Sequence, residues 1–256
     1  FFHWEIEFPE VFYGGNKREN PGFDVVITNP PYIGEKGHKE TFREVKKSGI
    51  FGNNFYQRRM DIFYFFFHLA LNLGKSNSQI VFITTNYYPT ADGAKKLRQD
   101  FKDRAIVREL TNFNELKIFE SAQGQHNMIT ALTKANDENG LANTCITKRT
   151  GLATPEILQS VISGREGETN YTEILQRNLY EGDDFYIRAF GSEEFNGLSQ
   201  DSVLGKILLV GIPLKEFCRI ESGVQTSLDK ISQKHLFKYP RLKLNMGDGV
   251  FALSED

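Results

Sequence analysis

Residues 23–32, Phe-Asp-Val-Val-Ile-Thr-Asn-Pro-Pro-Tyr, constrain the fold more than any other stretch of the chain. Phe23–Thr28 is a short β-branched run, and two prolines stop it. It reads as a buried parallel strand ending in a fixed turn. Similar runs follow at Gln79–Thr85, Ala105–Leu110 and Asn127–Thr133. Asp61–Leu73 is apolar almost all round, which predicts a helix buried on most sides. Asp92–Arg104 sets Ala94, Leu97 and Phe101 on one helical face. Strands alternating with helices predict an α/β doubly wound sheet. Residues 33–59 are mostly polar and contain Gly34, Gly37, Gly49 and Gly52. They read as a long insertion with one short helix near Lys39–Lys47. A loop this long is unusual in a compact domain unless it has a function.

The chain has 256 residues, with 22 Phe and 10 Tyr, enough apolar surface for a sizeable core. That excludes a disordered chain or a small disulfide-stapled fold. Cys145 and Cys218 lie far apart without metal-type spacing and read as free thiols in a reducing, cytoplasmic compartment. The longest apolar stretch, Ile62–Leu71, is too short to span a bilayer, so no membrane partner is expected. The opening Phe1-Phe2-His3-Trp4 has no initiator Met and reads as the interior of a longer protein. Residues 151–202 carry ten acidic against three basic residues, while the remainder holds 28 basic against 23 acidic. A polyanion is therefore expected to bind outside 151–202. Helices in the later part are read at Pro155–Ile162 and near Ser202–Leu209. The texture suggests a catalytic domain over 1–150, an acidic linker or insert over 151–202, and a further domain beginning over 203–256.

Asn29-Pro30-Pro31-Tyr32 carries the chemistry. It sits at the carboxyl end of a strand, where open α/β sheets place ligands. Each proline holds the residue before it extended. Neither proline has an N–H to join a sheet ladder. The arch so formed offers the Asn29 carboxamide oxygen and the Pro30 carbonyl as two fixed acceptors, suited to a planar –NH2 group. Tyr32 adds a flat ring to stack on whatever carries that amine. The lone pair of an aromatic amine such as adenine's is delocalised into its ring. Two acceptors on its N–H bonds favour a more tetrahedral nitrogen and stabilise the positive charge that develops during attack. The remaining task is positioning against an electrophilic methyl.

Phe23–Tyr32 resembles motif IV of the class I S-adenosylmethionine-dependent amino-methyltransferases, in particular the Taq-like N6-adenine DNA methyltransferases. Phe2–Phe12 resembles the stretch preceding that motif in fused type II (IIG) restriction–modification enzymes. Asp61–Leu73, Gln79–Asn86 and Gly93–Arg98 follow the family's next elements in order. Lys117–Glu120 with His126–Leu132 resembles its aromatic motif VIII, and Glu221–Ser227 the entry to its target-recognition domain. The resemblance implies the C-terminal half of a Rossmann-like methyltransferase sheet, followed by the start of an α+β target-recognition domain. It implies S-adenosylmethionine-dependent methylation of adenine N6 in double-stranded DNA, with the base flipped out. Carried over, Asn29 and Pro30 bind the adenine amine, and Tyr32 and Phe119 stack on its two faces. Asn29 and Pro31 lie beside the methyl donor. The family's Gly-rich methyl-donor fingerprint has no counterpart here. Gly247-Asp248-Gly249 has the wrong context, so the donor's main binding motif is expected upstream of Phe1.

The basic insertion offers Lys36, Lys39, Arg43, Arg58 and Arg59 as DNA-backbone contacts. Phe51, Phe55 and Tyr56 are expected to pack against the protein rather than wedge DNA. No histidine has ligand spacing, and no metal site is expected. His68 and His126 read as ordinary buried or half-buried histidines. Two alternatives stay open. Release-factor glutamine methyltransferases also use Asn-Pro-Pro-Tyr, because a carboxamide nitrogen poses the same problem. A segment without the donor's strands could also serve only as a DNA-binding or specificity module. An exposed sheet edge in such a segment would favour self-association.

Overall fold

The computed structural model describes residues 2–14, 19–120, 126–164, 166–187 and 212. By Cα proximity the chain divides into the compact units Phe1–Ser199 and Gln200–Asp256, and the description concerns the first. Cys218, Glu221–Ser227, Gly247–Gly249 and the helix expected near Ser202–Leu209 lie outside the described residues.

Two short helices, α1 (Trp4–Glu7) and α2 (Pro9–Phe12), precede β1 (Phe23–Thr28). The insertion then forms α3 (Lys39–Lys46) and α4 (Gly49–Phe55). Next come α5 (Ile62–Leu73), β2 (Gly74–Thr85), a 3-10 turn at Asp92–Ala94, α6 (Lys95–Arg104) and β3 (Ile106–Asn112). They are followed by β4 (Leu116–Lys117), β5 (Asn127–Thr133), β6 (Leu141–Thr147), β7 (Gly151–Leu152), α7 (Pro155–Ile162) and β8 (Thr169–Leu175). The main sheet has six strands in the order β1-β2-β5-β3-β6-β8. It is a mixed sheet. β1 pairs parallel with β2, and β3 with β6. β5 runs antiparallel to both β2 and β3, and β8 antiparallel to β6. Among the described residues between β3 and β5 none is helical, and the two strands run antiparallel. The fold is α/β, as expected. Residues 169–175, in the acidic stretch, supply the sixth strand.

The core lies between one sheet face and helices α5 and α6. Phe67 of α5 stacks on Phe82 of β2 with ring centroids 4.1 Å apart, and meets Phe101 of α6 edge-on at 5.0 Å. As expected, α5 is buried along most of its length, from Ile62 to Leu71. On the opposite face Val161 of α7 packs with Phe113, Leu116 and Cys145. That opposite face is uncovered over β1, where Val25 is 57% and Ile27 75% exposed. The expected fully buried strand is therefore an edge strand packed on one side only, through Val26.

A charged cluster joins the helices. His68 Nδ1 lies 2.5 Å from Asp100 Oδ2, and Arg104 holds the same carboxylate through Nε and Nη2 at 2.5 and 2.6 Å. Arg104 also donates to Asn72 Oδ1 at 2.7 Å. Phe55 of α4 stacks on the His68 ring with centroids 3.9 Å apart. Phe51 and Tyr56 are likewise half-buried against the core. The aromatics of the insertion fasten it to the domain.

Candidate active site

The strand directions bring functional side chains to one edge of the sheet. The carboxyl ends of β1, β2 and β3 lie there, together with the amino end of β5. Asn29 and Pro31 are exposed, Pro30 is buried and Tyr32 is half-buried. The Tyr32 hydroxyl lies 2.9 Å from Asn29 Oδ1 and 3.0 Å from the Ile83 carbonyl oxygen of β2. Its ring meets Phe63 edge-on at 6.1 Å. Burial pushes the Tyr32 hydroxyl above its ordinary value. The Asn127 side chain opposes this, and the charge of Asp61 adds to it. The phenol is therefore neutral, with its proton available to donate. Asn127 is buried at the start of β5, with its side-chain amide directed at the Tyr32 hydroxyl.

Asp61 ties the turn to the core. Its Oδ1 accepts from the Ile33 amide at 3.0 Å and from the Phe63 amide at 3.3 Å. The second bond caps α5, since an aspartate at this position satisfies an amide that the helix leaves unpaired. The first holds the residue after Tyr32. Burial raises the Asp61 carboxyl, against the opposite pull of backbone amides at Phe63, Ile33 and Ile62.

The insertion is closed at its neck. Ile62 N–H donates to the Ile33 carbonyl at 2.9 Å and Glu35 N–H to the Met60 carbonyl at 3.0 Å. The Glu35 carboxylate accepts from Tyr56 Oη at 2.6 Å and from the Arg59 amide at 2.5 Å. Burial alone would raise the Glu35 carboxyl. The Tyr56 and Arg59 bonds, with the charges of Arg58 and Lys39, hold it below its ordinary value. Arg59 has φ +64°, a left-handed conformation uncommon for a non-glycine residue. A Cβ at Gly93 would stand 2.2 Å from the Arg59 carbonyl oxygen, so only glycine admits this approach.

A cavity of about 560 Å³ opens beside this neck. Lys36, Lys39, Arg58 and Arg59 line it, over Met60, Phe63 and Tyr64, with Tyr87 on another side. Arg43 does not line it. Arg98, fully buried, fixes the Tyr87–Ala91 turn by donating to the Tyr88 and Ala91 carbonyls, both at 2.7 Å.

Phe119 lies half-buried in the bend after β4, and no ring contact joins it to Tyr32. His126 donates through Nδ1 to the Asn114 carbonyl, 2.8 Å away, and faces Tyr87 edge-on at 6.3 Å. Asn86 Nδ2 donates to Asn112 Oδ1 at 2.9 Å. Sequence reasoning passed over Asp61, Asn127, Asn112 and Tyr87. The one available signal was an Asp preceding the apolar run of α5, a helix-cap pattern. Among the described residues no cluster of three or more His, Cys, Asp or Glu could hold a metal ion. No described helix is long and apolar enough to cross a membrane.

Residues 1–119 match the family model of the Eco57I restriction-modification methylase. Over 101 residues the chain is 26% identical to the Type II methyltransferase M.HincII of Haemophilus influenzae, covering 40% of this chain and 20% of that protein. The chain thus spans about a fifth of the length of that relative. Among solved structures it is similar to a type I restriction-modification system methyltransferase subunit from Streptococcus thermophilus. There the identity is 10%, with 62% of this chain and 36% of that chain covered and a TM-score of 0.43. A second similarity is to a type I restriction-modification system, at 11% identity, 77% and 42% coverage and a TM-score of 0.49. The family match falls on the stretch that holds Asn29–Tyr32 and the insertion.

Proposed function

We propose, from the match of residues 1–119 to the restriction-modification methylases, that this chain carries the amine-activating part of an S-adenosylmethionine-dependent DNA methyltransferase acting on adenine N6. The observation that carries the reading is the turn itself: Asn29 exposed at the carboxyl end of β1, with Tyr32 anchored behind it on β2. Adenine, flipped from the duplex, presents its amine to the Asn29 carboxamide oxygen and the Pro30 carbonyl. Tyr32 and Phe119 stack on its faces, each such contact worth about 1–3 kcal/mol. Lys36, Lys39, Arg43, Arg58 and Arg59, all exposed, take the DNA backbone.

Asn29 and Pro31 fit one side of a methyl-donor site, because both are open to solvent at the strand's end. S-adenosylmethionine, when bound, supplies the electrophilic methyl. This chain's own residues orient the amine and, as acceptors of its N–H bonds, stabilise the positive charge that develops on the nitrogen. We place the methyltransferase motifs in 1–150, with residues 169–175 completing their sheet, and a target-recognition domain from 203, in a modification enzyme of a type II system that can carry a fused nuclease. The chain taken alone self-associates through the open side of β1.

The test compares the full-length parent with its Asn29→Ala form in methyl transfer from labelled donor to mixed-sequence duplex DNA. Removing one preorganised partner of a developing charge typically lowers a rate by about a hundred- to a thousandfold. We expect N6-methyladenine to fall by that factor while DNA binding persists. Label on protein instead would favour the glutamine reading. Unlabelled DNA with intact DNA binding would favour a specificity module.

A further inference from the structure

We propose that the cavity beside the neck of the insertion is a binding site for a single nucleotide of the substrate strand, adjoining the one whose base meets Asn29. The proposal rests on the DNA-modification reading and narrows it.

The walls of the cavity differ in kind. Four cations, Lys36, Lys39, Arg58 and Arg59, stand around it. Two acids also line it, Glu35 and Asp61, held by backbone amides at Arg59, Ile33 and Phe63, and the Arg59 side chain is paired with Asp92 at 3.3 Å, which still leaves the cations in excess. The rim therefore favours an anion. The floor is apolar, with Met60 and Phe63 buried beneath it, and Tyr87 stands at the mouth 51% exposed. A phosphate alone would use only the rim. A nucleotide uses both, with its base on the Tyr87 ring and the floor and its phosphate on the cations. A cationic track with an exposed aromatic is the general form of single-strand recognition. A volume of about 560 Å³ lies within the range of small-ligand pockets.

The walls are also held in place. Arg98 fixes the turn bearing Tyr87 from below. Glu35 fixes the Arg59 backbone in its left-handed conformation, and Gly93 permits the close approach behind it. An uncommon backbone conformation at a bulky residue persists only where its surroundings over-determine it, and such positions cluster at ligand sites. Arg43 is exposed on α3 outside the cavity. On this proposal it acts as a general backbone contact.

The experiment measures binding of mixed-sequence oligonucleotides, single-stranded and duplex, to the full-length parent as a function of salt. The variants are Lys36→Gln, Arg58→Gln and Tyr87→Ala. The control is Lys75→Gln, a cation at the amino end of β2. Each neutralised phosphate contributes a slope of about −0.9 in log K against log salt for duplex DNA. Lys36→Gln and Arg58→Gln are expected to flatten the slope by about one contact in total, and Lys75→Gln to leave it unchanged. Tyr87→Ala is expected to weaken binding by about fivefold to a hundredfold, the span of one lost stacking contact, without altering the slope. Equal slopes for the cavity variants and the control, or unchanged affinity in Tyr87→Ala, would overturn the proposal. Methyl transfer is followed in parallel. Transfer with no effect of the cavity variants on binding removes the pocket and keeps the activity. The binding effects without transfer by the parent keep the pocket and remove the activity.

Discussion

Tyr32 illustrates how much rests on single atoms. Its hydroxyl has one proton and two neighbours able to take it, Asn29 Oδ1 at 2.9 Å and the Ile83 carbonyl at 3.0 Å. A phenol also accepts. Donation to Ile83 leaves the Tyr32 oxygen free to accept from the Asn29 amide after a half-turn of that carboxamide. Oδ1 then faces outward, towards the substrate amine. In either arrangement the hydroxyl fixes the plane of the Asn29 group, a positioning role separate from stacking by the ring. Tyr32→Phe keeps the ring and removes the anchor. A neutral hydrogen bond contributes about 0.5–1.5 kcal/mol, so the rate of methyl transfer should fall by about twofold to tenfold. DNA affinity should hold, because the stacking face remains. Single-turnover transfer measured beside equilibrium DNA binding separates the two, and an unchanged rate would refute the anchoring role.

At the scale of elements, α4, α5 and α6 meet at His68, Asp100 and Arg104. Burial holds the His68 ring below its ordinary value of 6.5, outweighing the opposite pull of Asp100, while Arg104 and Lys96 add to the effect. The folded protein thus keeps this ring neutral while the unfolded chain takes up a proton as the pH falls through 6.5. Stability falls over that interval, since the unfolded state binds more protons. For Asp100, burial alone would raise the carboxyl, but the His68 and Arg104 bonds outweigh it and hold it below 3.8. Its contribution is full above 3.8 and is lost as the pH falls through the lower folded value. Both slopes have the same sign. The unfolding midpoint should drop between pH 7 and pH 5, and His68→Gln should flatten that drop whatever its midpoint at neutral pH. Parallel profiles for the two proteins would contradict this account. The same elements show what a sequence can tell. The helix α5 and strands β1, β3 and β5 were legible because their apolar residues run unbroken or repeat on one face. The start of β2 was hidden, because Lys75–Ser78 is polar and falls where the register against β1 shifts between Phe23 and Val25. β6 and β8 were hidden for a related reason: buried positions there are held by Thr144, Thr147 and Thr169, which leave little hydrophobic period. The Asn29–Tyr32 turn was legible from two prolines. Asp61, Asn127 and Tyr87 were not, because only the fold brings them to one edge of the sheet.

For the whole molecule, the distribution of cover decides behaviour. The sheet is packed on one face by α5 and α6, and on the other by α7 towards β6. β1 stands at the end of the strand order, with Val25 57% and Ile27 75% exposed on its open face. Ahead of it Trp4, Phe8 and Phe12 pack around Phe23, while Phe2 and Ile6 remain exposed at 59% and 72%. An exposed apolar edge strand is a template for pairing with a second copy, and a charge on the edge is the usual safeguard. Lysine at position 27 would supply that charge where the side chain meets water, and a surface substitution of this kind shifts stability by only about 0.5 kcal/mol. The chain alone should therefore sediment as a dimer or larger, and Ile27→Lys should return it towards the monomer with a nearly unchanged unfolding midpoint. Val26→Lys, on the packed face of the same strand, should instead unfold the domain, because it forces a charge into the core. Sedimentation and thermal unfolding of the three proteins side by side distinguish edge pairing from general stickiness. A monomeric parent chain across its soluble range, or an Ile27→Lys form that associates as strongly as the parent, would show that this edge is not where copies meet.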